Sequence, residues 1–241
     1  MEKKKLAVLI ILSIAFIVVV SADYLSSQES VTSLNVISIT QLPSPQLTGN
    51  LSVEQAIANR RSVRKYSNEF LTLEDVSQLL WAAQGITDSE KNLRAAPSAG
   101  QVYPLEVYVV VGTGSVSGLQ EGLYHYVPQN NTLEKLLDSD IRNNLSVVAD
   151  GQPWVKQAPI NIIITGNYQK MLDKYKDKDL CTRFVNLEAG HVGENIYLQA
   201  ESLGLVTVAL GSFDENQMVG LLHLPINEKP IYIFPVGYSQ S

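Results

Sequence analysis

The sequence predicts an α+β domain built on a central sheet, and three observations predict it. Short apolar runs rich in Val, Ile and Tyr recur between polar turns as strand candidates. Two capping-box signatures open helical segments, and one long helical stretch with internal glycines precedes the last two strand candidates. With 241 residues, of which 45% are hydrophobic, the chain can bury a sizeable core.

The first segment lies outside that domain. MEKKK precedes an uncharged apolar run over residues 6–22, the basic and apolar regions of an export signal. The run is short for a ~30 Å hydrocarbon core, which takes about 20 residues. Val20 and Ala22 suit the small-residue positions before a cleavage site. A signal peptide cleaved after Ala22 and a retained membrane anchor both remain open. Either leaves Lys3, Lys4 and Lys5 in the cytoplasm and exports the rest, as a membrane-anchored or secreted protein. Residues 23–50, rich in Ser, Thr, Gln and Pro without periodicity, read as a disordered tether, and the folded domain is expected over residues 51–241.

Within the domain, Ser52 with Gln55 starts a helix that runs through Arg60. Thr72 with Asp75 starts a second, which carries Leu73, Val76, Leu79, Leu80 and Ala83 on one face before Gly85 stops it. The strand candidates are LEVYVVV from Leu105, GLYHYV from Gly122, INIIIT from Ile160, LVTVAL from Leu205 and IYIFPV from Ile231. Residues 183–203 form the long helix, where Gly190 and Gly193 would permit close packing against another helix.

Several function classes drop out. The net charge of -6 argues against a nucleic-acid surface, which needs a broad basic field. Cys181 is the only cysteine, so neither an internal disulfide nor a cysteine zinc site can form. His125, His191 and His223 are too dispersed for a metal site, and no G-x-S-x-G elbow supports a hydrolase. VVVGTGSVSG follows a strand as a dinucleotide loop would, but a strand candidate comes next where a helix should open, so it reads as a turn.

Against that acidic background RRSVRKY stands out. Arg60, Arg61, Ser62 and Arg64 cluster where the first helix ends, and guanidinium forks beside a hydroxyl suit a phosphate. Taken alone, the cluster also fits a solvated basic edge. Pro97, Ser98, Ala99 and Gly100 form a small-residue turn before a strand, where backbone could approach a flat ligand closely. In ALGSFDENQ, Gly211 and Ser212 make a turn before a helix whose N–H groups could meet a ligand acceptor.

In this order, RRSVRKY, PSAGQVYPLEVYVVV, EAGHVGENIYLQAESLGL and the terminal FPVGY resemble the nitroreductase family of flavin enzymes over residues 51–238. PSAG and the EAGH helix look most like its SagB-like branch, the thiazole and oxazole dehydrogenases that oxidise azolines. The resemblance implies a central mixed sheet flanked by helices, with the long helix at the interface of a homodimer. It implies FMN as cofactor, with Arg60, Arg61, Ser62 and Arg64 at its phosphate and ribityl chain and Gly211 and Ser212 near flavin N5. Pro97 and Ser98 of the partner subunit would approach each flavin, with Ala99 and Gly100 beside them.

It implies ping-pong hydride transfer on a small-molecule or peptide substrate. Lys174 and Tyr175 match the branch's Lys-Tyr pair, a candidate base for the proton that azoline oxidation removes from carbon; the same LDKYKDKDL string also fits an exposed lysine-rich loop or helix. His191 reads as a helix-packing histidine. The chain departs from many members in having no Lys or Arg after its last strand. That departure keeps a second class open, a non-catalytic exported protein that binds flavin or another small ligand.

Overall fold

Alternating apolar residues and polar turns give nine strands, and the computed structural model describes them within residues 34–240. Seven of the strands make one sheet in the order β1-β6-β5-β4-β7-β9-β8. They are β1 (Ser38–Gln41), β4 (Leu105–Val111), β5 (Gly122–Val127), β6 (Thr132–Leu137), β7 (Ile160–Asn167), β8 (Leu205–Thr207) and β9 (Glu228–Tyr238). A hairpin of β2 (Ile86–Asp88) and β3 (Leu93–Arg94) stands apart. The mixed sheet that was expected is antiparallel in all of its named pairings. Among the described residues parallel pairing is confined to isolated bridges, such as Ser62 with Thr207.

β4 and β7 read as continuous apolar runs because both of their faces are covered. On one face Leu105, Val107 and Val109 meet Val76, Leu79 and Leu80 of α2 (Leu73–Gln84) and Val185, Val192 and Ile196 of α6 (Lys178–Ser202). On the other, Tyr108, Val110 and Ile163 meet α3 (Arg142–Val148), α4 (Pro153–Gln157) and α7 (Glu215–Leu222). Both predicted capping boxes form: Ser52 opens α1 (Val53–Asn59) and Thr72 opens α2. Between β7 and α6 lies α5 (Tyr168–Tyr175), closed by Lys176 in the left-handed region.

The tether expectation fails for its second half. Residues 34–50 bind the domain as a strap: β1 pairs with β6, and Leu42 is buried in the core. The Pro43 carbonyl accepts from Ser77 Oγ at 2.6 Å and Asn131 Nδ2 at 2.9 Å, while Gln46 and Gln78 exchange two hydrogen bonds of 2.8 and 3.0 Å. The strap was invisible to pattern reading because β1 is an edge strand with Ile39 64% exposed, and its anchors are amides far away in sequence. The signal peptide or anchor and the first part of the tether lie outside the described residues. Among those residues no helix is long and apolar enough to cross a membrane.

Candidate functional site

Building the first group of candidate residues starts with a glycine on α6. A Cβ at Gly193 would stand 3.0 Å from Phe234 Cζ, tighter than ordinary contact, so glycine lets the helix settle closely against that ring. Phe234 is met edge-on by Tyr197, centroids 5.9 Å apart, and by Tyr232 at 5.5 Å. So placed, Tyr197 accepts a hydrogen bond from the Ala209 N–H at 2.7 Å, pairs with Ser62 Oγ at 2.9 Å, and carries the Arg60 guanidinium 5.0 Å above its ring.

The exit from α1 is fixed in the same way, because Val63 N–H donates to the Thr207 carbonyl beside the Ser62–Thr207 bridge. Arg64 lies 5.4 Å from the Trp154 ring. Among the described residues no carboxylate pairs with Arg60 or Arg64, although the chain is acidic. Arg61 differs: its guanidinium turns back to the Ala58 and Arg60 carbonyls at 2.9 and 2.8 Å and caps the end of α1.

Gly211 and Ser212 are exposed beside this group, and among the described residues neither backbone N–H finds an acceptor. The turn is held from below. Ser212 Oγ donates to Asp150, and its carbonyl accepts from Gln152 Nε2 at 3.3 Å. Tyr197, Asp150, Gln152 and Trp154 were all missed as site residues. Tyr197 stood within the quoted EAGHVGENIYLQAESLGL string, but nothing in the spacing of Asp150 and Gln152 links them to Ser212.

Pro97, Ser98, Ala99 and Gly100 form a second group with Lys174 and Tyr175. Gly100, Gln101 and Tyr103 take positive φ of 60°, 57° and 50°. The last two are not glycine, so the turn is strained. Lys174 Nζ donates to the Gly100 carbonyl. A Cβ at Gly100 would lie 2.5 Å from the Tyr175 hydroxyl and 2.7 Å from Lys174 Nζ, so both side-chain heads converge over that residue. Tyr175 is steadied by Phe184, centroids 5.1 Å apart.

Beneath the turn, burial pushes the Glu188 carboxyl up to about 7, while the Ser98 hydroxyl, the Gln84 amide and the Arg94 charge pull it down. His191, expected to pack, is exposed on α6 near Leu187 and Gly190. Among the described residues no hydrogen bond joins the two groups. Glu188 of the second and Tyr197 of the first are nine residues apart on α6, about 13.5 Å along the axis. A cavity of about 690 Å³ between the strap and helices α2 and α6 contains none of these candidates.

An antiparallel sheet carries at one edge an arginine-serine hook whose cations suit an anionic group, and a strained small-residue turn lies under a lysine and a tyrosine. The chain belongs to the nitroreductase family, whose model matches residues 57–238. FMN is the cofactor of that family. The chain is 41% identical over 187 residues to a nitroreductase-family protein of Methanocaldococcus jannaschii, covering 78% of this chain and 91% of that one. The trifolitoxin-processing protein TfxB of Rhizobium leguminosarum bv. trifolii is 28% identical over 182 residues, which span 71% of this chain and 48% of TfxB. The crystal structure of a nitroreductase-family protein of Ralstonia eutropha superposes with a TM-score of 0.74 at 30% identity, covering 84% of this chain and 90% of that one.

Proposed function

We propose that this nitroreductase-family oxidoreductase is an FMN-dependent dehydrogenase of the SagB type, which oxidises azoline rings in a peptide or related small molecule. The observation that carries the reading is the convergence of Lys174 and Tyr175 over Gly100 in the small-residue turn. Similarity to TfxB, named for processing a peptide toxin, supports the same branch.

The residues present fit FMN. Arg60 and Arg64, free of carboxylates among the described residues, would hold its phosphate. Tyr197 already accepts from Ala209, so its own O–H can donate to Ser62 and leave the serine proton for a phosphate oxygen. The N–H groups of Gly211 and Ser212 would meet the isoalloxazine. Arg61, engaged with carbonyls, serves the end of α1 instead. Bound FMN supplies a two-electron carrier that takes hydride from one substrate and yields it to a second. Lys174 or Tyr175 takes up the one proton released from the substrate carbon.

Because the two groups sit apart on α6, we assign each complete site to two copies of the chain, the turn of one facing the arginine hook of the other. On the lysine-led apolar N-terminus we place the domain outside the cytoplasm; labelling of intact cells by a protease tests that placement. The reading as an enzyme is tested by the absorption spectrum of the purified chain and by its dehydrogenation of a thiazoline peptide. A flavin spectrum with turnover supports it. A flavin spectrum with no turnover of thiazoline, quinone or nitroarene leaves a flavin-binding protein and sinks the reading.

A further inference from the structure

A buried polar column stands under the strained turn, running from α2 through β3 to α6. Gln84, the last residue of α2, is fully buried; its Nε2 faces Glu188 Oε1 at 3.5 Å, and its Oε1 accepts from Arg94 Nη1 at 2.8 Å. The Arg94 backbone N–H donates to the Tyr103 hydroxyl at 3.3 Å, and its guanidinium lies 4.8 Å from the Tyr103 ring. Tyr103 N–H donates in turn to Ser98 Oγ at 2.9 Å, which closes the column onto the turn.

Glu188 is only 2% exposed, and its Oε2, like Arg94 Nε, is buried with no partner among the described residues. A buried carboxyl left partly unpaired costs stability, so its presence asks for a use. The charge that faces it is Arg94, itself surrounded by Glu106, Tyr103 and Tyr126. Above it, a turn with non-glycine residues at positive φ persists only if its surroundings over-determine it.

We infer that Glu188 is a positioning residue: through Gln84 and Arg94, which lead to Tyr103 and Ser98, it braces the turn that carries Gly100. The inference rests on the reading that this turn faces flavin and substrate, and it concerns the chain's own residues. Glu188 Oε1 faces Gln84 Nε2 and so holds Gln84 Oε1 on Arg94, whose backbone N–H meets the Tyr103 hydroxyl. Glutamine can do the same through its carbonyl; alanine cannot.

Amide hydrogen exchange of the full-length chain without FMN tests it. In Glu188→Ala, exchange at Gln101, Val102 and Tyr103 should quicken about tenfold while β4 and β7 keep their protection. In Glu188→Gln, the turn should stay close to wild type. Unchanged exchange in the turn of the alanine variant would overturn the inference, and so would equal quickening in β4 and β7, which marks a core-packing role. Should that variant fail to fold, Ser98→Ala cuts the top of the column and should free the Tyr103 amide; protection retained there overturns the inference as well. Since exchange is read without cofactor, a chain that binds no flavin would sink the proposed function and leave this result standing.

Discussion

The arginine hook and the braced turn are made in opposite ways. The hook is open: Ser62, Arg64, Gly211 and Ser212 are exposed, the guanidinia rest on aromatic faces, and their charge is not met by carboxylates among the described residues. The turn is crowded: three residues at positive φ lie between the heads of Lys174 and Tyr175 above and a buried column below. A charged ligand is best met by cations left unpaired, because their attraction is then undiminished by a competing pair. Chemistry on a substrate carbon instead needs groups held within a fraction of an ångström, and strain that the surroundings sustain is one way to hold them.

The sharpest break between the two regions should come from the turn. The Lys174→Ala, Tyr175→Phe double variant should lose ~10²–10⁴-fold in thiazoline dehydrogenation, the share of general acid-base catalysis, measured by single-turnover absorbance. It should keep its flavin and its quinone reduction, which draw on the hook. A variant unchanged in every assay would reduce the pair to an exposed helix end.

A chain shortened to begin at Asn50 should separate scaffold from site. It loses β1, buried Leu42 and the Gln46–Gln78 pair, so denaturant unfolding should show roughly 3 kcal/mol less stability than a chain that begins at Leu34. Its FMN affinity in the folded state should be unchanged.

Arg60→Ala or Arg64→Ala should weaken FMN binding by roughly 1.5–3 kcal/mol, about ten- to a hundred-fold, and riboflavin binding far less. Arg61→Ala, which removes a helix cap, should instead lower stability slightly and leave FMN affinity alone. Equal losses for FMN and riboflavin would place the hook among structural features.

A pH-dependent effect lies under the turn. A carboxyl raised to about 7 in the folded state is favoured there in its protonated form, so its ionisation works against folding. The cost begins as pH rises past the ordinary carboxylate value and is complete above about 7. Glu188→Gln escapes it, so between pH 4.5 and 7 the variant should gain about 3 kcal/mol relative to wild type and then hold level. Parallel pH profiles of thermal unfolding would contradict a buried, titrating Glu188.

How far the sequence could be read follows the same division. The hook was legible because RRSVRKY is a local excess of charge in an acidic chain, and α1, α2, β4, β5 and β7 were legible from caps and apolar runs. β6 was not: TLEKLL has no alternation to mark a strand, because Lys135 is itself buried and reaches Gln120 and Asp138. The column under the turn was hidden too, since Gln84, Arg94 and Glu188 belong to three elements and only folding brings them together.

The β1–β6 pairing has a kinetic consequence. Ser38 meets Lys135, a partner 97 residues further along the chain, whereas β4, β5 and β6 follow one another closely enough to pair by short loops. Contacts that close long loops form slowly unless others have already shortened the path. The N-terminal strand is therefore the one expected to dock last, in a step that stopped-flow fluorescence of a probe at Leu42 would register as a separate late phase. Until it docks, the outer hydrogen-bonding groups of β6 stand unpaired, and self-association in that interval should rise with protein concentration.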